Sequence, residues 1–271
     1  MSAPKFRTDM ITLYDIPFNV DGKALSPNTF ITRYESLLSP FPFRTNKDLL
    51  RYCMKIKGLP FHTEWINISA VPRFGSDIGV EKTNIGGQGM KAYTLPIIHD
   101  PSTGTTIAES FKIVQYLDKT YPDTPRIVPT GTESLHTAFR TAVSALESPI
   151  YAFAIPKTFE RLSEPADREY FRNTREPFFG TTLEELTPTG DAATITWAKV
   201  KEAYSTYASW YEGNGKYFAG ESPCFADVVL AGKIFWIRNT FGKESTQWED
   251  VRKWDDGKWE KLLADFEQTY N

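Results

Sequence analysis

Two cysteines in 271 residues, Cys53 and Cys224, are too few for a disulfide framework or a cysteine-built zinc site. Three scattered histidines, His62, His99 and His136, argue equally against metal hydrolysis or a histidine-based triad, so no metal is expected. There is no basic excess. Lys and Arg number 31 against 34 Asp and Glu, a net charge of −3, and the pI is near 5.8. Neither nucleic acid nor an anionic membrane could be held by bulk electrostatics on such a chain. No stretch approaches the ~18 apolar residues of a membrane span. The most apolar one, residues 228–237, is interrupted by Lys233, closed by Arg238 and reads as a buried helix. The first ten residues, MSAPKFRTDM, lack the apolar run of a signal peptide, and a cytoplasmic location is expected by elimination. What the chain does have is apolar bulk: 41% hydrophobic and 14% aromatic residues, enough for a large, ring-rich core. At roughly 150 residues per domain, the length suggests one or two domains.

The order of elements separates two textures. Ile11-Thr12-Leu13-Tyr14 alternates as a short strand, and Ser26-Pro27 offers an N-cap followed by a proline at the first helical position. Lys57-Gly58-Leu59-Pro60 closes that helix with a basic last turn, a glycine and a proline. Residues 61–68 read as a second strand, and residues 69–91 are too irregular to assign. Residues 93–100 have strand composition, but Pro96 demotes them to an edge or marks a turn at their start. Asp100-Pro101-Ser102-Thr103-Gly104 is a reverse turn, with residues 105–108 returning as the hairpin partner. Glu109-Ser110 then opens a helix whose apolar residues Phe111, Val114, Leu117 and Tyr121 recur at helical spacing, ending at Tyr121-Pro122. Beyond residue 130 strand signals vanish. Phe225, Val228, Val229, Gly232 and Trp236 form one helical stripe, and Trp259, Leu262, Leu263, Phe266 and Tyr270 another. A small α/β domain followed by a larger helical one is the reading, with the boundary in the Pro/Thr/Gly-rich residues 122–132.

Three segments carry the chemistry: Ser26-Pro27-Asn28 at a helix start, Thr94-Leu95-Pro96-Ile97, and Glu109-Ser110. In the frame YDI…SPN…KGLPF…TLPII…AESFKIVQYLD…YPDTP the chain resembles the glutathione transferase superfamily over nearly its whole length. It is most similar to the fungal, etherase-related, serine-type members. The resemblance implies a thioredoxin-like α/β domain over residues 1–125 that binds glutathione. An all-helical domain over residues 131–271 would contribute a hydrophobic acceptor site. It further implies glutathione as co-substrate, no metal, a homodimer, and hydrophobic aromatic acceptors that are conjugated, detoxified or cleaved at an ether bond.

Each position suits its implied role. A free thiol has a pKa of roughly 8.5 and is mostly unreactive at neutral pH. A hydroxyl donor at a helix N-terminus favours the thiolate, and Ser26 would be that donor, with Asn28 sharing the task. Pro96, cis by resemblance, would turn the Leu95 backbone toward the cysteinyl part of glutathione, which would pair with it as an added strand. Ser110 would hold the γ-glutamyl carboxylate at a helix N-terminus, while Glu109 would face the γ-glutamyl ammonium. Tyr151 and Phe153 in the uncharged stretch SPIYAFAIP are candidates for the acceptor pocket and equally for the core. Cys53 sits inside a helical pattern beside Tyr52 and Met54 and reads as a small core residue, which weakens a cysteine-based thioltransferase reading. A glutathione-dependent carrier of hydrophobic aromatic ligands without turnover is the alternative function, together with an inactive splice product.

The chain departs from the family pattern in two places. In Gly220-Glu221-Ser222-Pro223-Cys224-Phe225-Ala226-Asp227, Cys224 fills the N-cap slot usually held by Ser or Thr, and a thiol accepts hydrogen bonds poorly. The second departure is in the first helix. Arg33-Tyr34 and Arg51-Tyr52 repeat 18 residues apart, and removing residues 34–51 leaves one helical face of Phe30, Ile31, Tyr52, Cys53 and Ile56. Those residues are read as an insertion and, since eighteen codons with splice-like coding options make a short intron, as a retained intron. The competing reading keeps them as two helices joined by Ser39-Pro40-Phe41-Pro42, with stripes Phe30, Ile31, Tyr34, Leu37, Leu38 and Leu49, Leu50, Cys53, Met54. In that arrangement Ser39 is a rival catalytic serine.

Overall fold

The computed structural model describes residues 6–17, 47–84, 91–211 and 215–270. Its first part is a four-stranded sheet in the order β2-β1-β5-β6. Strand β1 (Ile11–Asp15) is followed by helix α1 (Lys47–Ile56) and strand β2 (Phe61–Trp65), which pairs parallel to β1 with Ile11 opposite Phe61. A short turn of 3-10 helix (Ile68–Ala70), helix α2 (Val71–Asp77) and a two-residue hairpin, β3 (Thr83–Asn84) with β4 (Lys91–Ala92), fill the stretch that the sequence left unassigned. Strands β5 (Ile97–Asp100) and β6 (Thr105–Ala108) form the expected hairpin, followed by α3 (Ser110–Thr120). The strand signal over residues 93–100 is therefore realised only after Pro96. The proline sits at the turn into a central strand, where its missing N–H removes no ladder bond.

The second part is helical: α4 (Glu133–Leu146), α5 (Ser148–Glu160), α6 (Pro165–Phe179), α7 (Gly190–Ser209), α8 (Phe225–Phe241), α9 (Thr246–Val251) and α10 (Trp254–Tyr270). Helix α8 is apolar on all sides, which is the signature of a fully enclosed helix, and residues 225–234 are all buried. Two charged residues interrupt that run, Asp227 and Lys233; Lys233 pairs with Glu147 at the α4–α5 junction, and the Tyr151 hydroxyl donates to the same carboxylate at 3.0 Å. At its N-terminus the Asp227 carboxylate accepts the N–H of Cys224 (2.9 Å) and of Phe218 (3.1 Å), and the Cys224 side chain accepts the Asp227 N–H in return, so both halves of the capping box are present with a thiol in place of the hydroxyl.

The two parts share one core. In α1, Leu49, Leu50, Cys53 and Met54 are fully buried, and the helix packs on α8 and α10, with the rings of Tyr52 and Phe266 edge-on at 5.1 Å. That buried stripe matches the second of the two competing readings of the first-helix region, and Cys53 is the core residue expected of it. The linker is tied down as well. Asp118 at the end of α3 accepts Lys57 Nζ (2.8 Å) and the N–H groups of Ile127 (3.1 Å) and Val128 (2.8 Å). A third tie joins Ser69, whose N–H (3.0 Å) and hydroxyl (2.6 Å) both donate to Asp167 of α6.

Candidate active site

Sheet register brings two of the three motif segments, Leu95-Pro96 and Glu109-Ser110, to one place. In the ladder, Tyr14 of β1 lies opposite Ile97 of β5, and Ile97 lies opposite Ala108 of β6. Because β5 runs antiparallel to both neighbours, residues after Tyr14, before Ile97 and after Ala108 emerge at the same end of the sheet. Those are Asp15-Ile16-Pro17, Leu95-Pro96 and Glu109-Ser110. With strands about 4.8 Å apart, three neighbouring strands place these segments within roughly 10 Å of one another. The Leu95–Pro96 bond is cis, as expected. The chain leaving Pro17 enters residues 18–46, which contain Ser26 and Asn28; these two and the rival Ser39 lie outside the described residues.

Glu109 is the most constrained residue of the site. Its φ of 83° is rare for a residue with a Cβ, and such backbone persists only where its surroundings enforce it. The enforcing contacts come from its own carboxylate, which accepts the N–H of Phe111 (3.2 Å) and Lys112 (3.1 Å) and caps α3. Beside it, half-buried Ser110 is the first helical residue. The Glu109 carboxylate also takes Nη2 of Arg140 at 2.7 Å, a residue of α4 in the helical part. The two side chains are 11% and 5% exposed, so this ion pair is removed from water. The Arg140 guanidinium lies 4.8 Å from the Phe111 ring centroid and 5.9 Å from that of Phe225. Burial draws it below its ordinary pKa while Glu109 opposes the shift, and an arginine remains charged throughout.

Sequence reasoning missed Arg140 altogether. A single arginine on an amphipathic helix gives no spacing signal, and its partner is 31 residues away.

Other candidates fall elsewhere. Tyr151 and Phe153 are buried in the helical part, the core position that the sequence left open for them. The Tyr151 hydroxyl is committed to Glu147, and the Phe153 ring meets Trp197 edge-on at 5.4 Å. Neither cysteine is poised as a nucleophile. Burial, reinforced by Asp118, pushes the Cys53 thiol well up, and burial pushes Cys224 up to about 12. Tyr14 at the sheet end is likewise held protonated, pushed up to about 12 by burial and then by Glu64. Among the described residues no group of His, Cys, Asp and Glu is arranged to hold a metal ion, and no helix is long and apolar enough to cross a membrane.

The profile of the glutathione S-transferase C-terminal domain matches residues 134–270. A glutathione S-transferase of Ceriporiopsis subvermispora, solved in complex with glutathione, superposes with a TM-score of 0.85 at 36% identity, covering 97% of this chain and 98% of its own. Glutathione transferase GSTFuA3 from Phanerochaete chrysosporium gives a TM-score of 0.81 at 32% identity over 98% of each chain. The glutathione S-transferase-like protein ustS of Aspergillus flavus is 27% identical over 229 residues, 79% of each sequence. The chain belongs to the glutathione S-transferase family, and within it to a fungal group like the FuA enzymes.

Proposed function

We propose that this transferase is of the serine type and that Ser26 activates the glutathione thiol. The observation that carries the reading is the convergence of Leu95-Pro96 and Glu109-Ser110 at the sheet end from which the Ser26 segment departs. Glutathione would lie along that end. Its cysteinyl backbone would pair with Leu95 beyond the cis bond, and Ser110 would hold the γ-glutamyl carboxylate at the start of α3. Glu109 would stand beside the γ-glutamyl ammonium. The thiol would then reach Ser26, whose hydroxyl, with Asn28, donates to sulfur and favours the thiolate. Each unit of lowered thiol pKa requires about 1.4 kcal/mol of differential stabilisation. The acceptors are hydrophobic aromatic electrophiles, conjugated at carbon or cleaved at an aryl ether. That class is drawn from the family resemblance. A cytoplasmic homodimer is part of the same proposal and is drawn from family resemblance.

Steady-state conjugation by Ser26→Ala tests it. The expected result is a fall in kcat of about tenfold near pH 6.5, with the rate recovering as pH rises toward the free-thiol value, because one hydrogen bond to a charged sulfur is worth roughly 1.5–3 kcal/mol. Unchanged kcat with an unchanged pH profile would exclude Ser26 and direct attention to Ser39. A wild-type protein that binds glutathione and aromatic ligands without turnover would instead be the carrier.

A further inference from the structure

We propose that Arg140 is a positioning residue for the γ-glutamyl end of glutathione: it neutralises Glu109 so that a second carboxylate can dock at the N-terminus of α3. The inference rests on the transferase reading of the site. Its starting point is a charge conflict. Glu109 already places one carboxylate on this helix end, taking the N–H groups of Phe111 and Lys112. A ligand carboxylate arriving at Ser110, the next residue, would face that like charge in a half-buried setting, and two carboxylates sharing one site cannot both ionise without cost. Among the described residues, the buried cation at this point is Arg140, whose Nη2 lies 2.7 Å from Glu109 Oε1. The ammonium of Lys112, by contrast, is more than half exposed and turned to Glu81 at 3.6 Å.

The pair is a poor device for stability alone. Arg140 Nε is buried with no hydrogen-bond partner, so the guanidinium is desolvated more fully than it is compensated. Its other contacts are the faces of Phe111 and Phe225. A group kept at such a cost, at the first turn of the helix implied in ligand binding, has its explanation in the charge it supplies. It also comes from the other domain. The helical part would thus set the electrostatics of glutathione binding as well as the acceptor site.

Calorimetric titration of the full-length chain with reduced glutathione tests this, alongside steady-state kinetics. Arg140→Met is expected to weaken glutathione binding by about tenfold, the scale of one charge-assisted contact. KM for glutathione should rise by a similar factor while kcat at saturation changes less than about twofold, because the reacting thiol is at the other end of the site. Contact is through Nη2 alone, so Arg140→Lys should restore binding to within about threefold of wild type. Equal affinity in wild type and Arg140→Met overturns the inference. If circular dichroism shows Arg140→Met unfolded, Arg140→Lys decides alone: near-wild-type affinity supports the charge role, and a tenfold loss overturns it. A wild-type chain that does not bind glutathione overturns the transferase reading of the site itself, and the inference falls with it.

Discussion

Asp100 shows how much a single carboxylate can organise. It ends β5, and its Oδ2 accepts the hydroxyls of Tyr116 (2.7 Å) and Tyr121 (2.6 Å), while Oδ1 accepts the N–H (2.9 Å) and hydroxyl (2.7 Å) of Ser102. The hairpin turn is thereby fastened to the far end of α3. Burial raises the Asp100 carboxyl, but the hydrogen bonds from Tyr121, Ser102 and Tyr116 outweigh it and hold the group below its ordinary value. A carboxyl depressed in the folded state stabilises fully above its unfolded pKa, near 3.9, and that contribution disappears as pH falls through the folded value. Asp100→Asn should therefore lower stability at pH 7 by about 1 kcal/mol, the scale of weakening hydrogen bonds from half-buried hydroxyls. The gap in Tm between the two proteins should narrow below about pH 4. Thermal melts across pH 3–7 would check this, and a gap that stays constant would refute it. The Asp-Pro-Ser-Thr-Gly turn was legible in the sequence because its chemistry is local. The two tyrosines were not, since nothing local ties residues 116 and 121 to residue 100. The pairing of Arg140 with Glu109 was hidden for the same reason.

At the scale of elements, periodicity located α3, α8 and α10, where the apolar stripes are long. It failed between residues 69 and 91, where α2 has seven residues and β3 and β4 two each. Packing defines these pieces. A Cβ at Gly75 of α2 would come within 2.6 Å of the Tyr93 ring, so the helix fits only because that position is glycine. Helix α1 poses the sharper question, because it begins inside the suspected insertion at residues 34–51. Leu49 and Leu50 are fully buried, and Arg51 donates to Thr63 Oγ1 at 2.9 Å with its guanidinium 5.3 Å from the Trp65 ring. Excision would bring Ile31, Thr32 and Arg33 into those three positions. Two of the exchanges keep the chemistry, but threonine for a core leucine costs about 2 kcal/mol. We propose the retained intron with that cost attached. Sequenced cDNA should show a dominant transcript lacking the eighteen codons, and Thr32→Leu in the shortened chain should raise Tm by about 4–8 °C. A dominant transcript that keeps the codons would remove the proposal.

For the molecule as a whole, composition suggested a boundary in residues 122–132 but gave no sign of how firmly the segments on either side are joined. Besides the shared core, the joints include two long-range polar contacts, Ser69 to Asp167 and Glu109 to Arg140. Each joins residues far apart in the chain, beyond the reach of any periodicity. The linker between the two parts is anchored by Asp118 of α3, whose carboxylate holds Lys57 and two linker amides. Asp118→Ala leaves a buried ammonium unpaired and should cost about 3–5 kcal/mol. Because the core is shared, the loss should appear as one transition at lower temperature, with near- and far-UV circular dichroism melting together. A separate early melt of the α/β half would show that the parts are coupled less tightly than their contacts indicate.

The anchored linker also bears on how halves of related chains can be recombined. A crossover at residues 122–126 looks harmless, because Pro122, Asp123, Pro125 and Arg126 are exposed. Such a graft would nevertheless part the carboxylate of Asp118 from the Ile127 and Val128 amides it holds, and the match would depend on the donor's backbone path. A crossover just after Val128 carries the whole clamp with the first half. At the linker itself what then has to be met is the bond from the Phe225 N–H to the Ile127 carbonyl, 2.7 Å, a main-chain contact that almost any incoming helix start can supply, while the shared core and the Ser69–Asp167 and Glu109–Arg140 contacts remain to be matched.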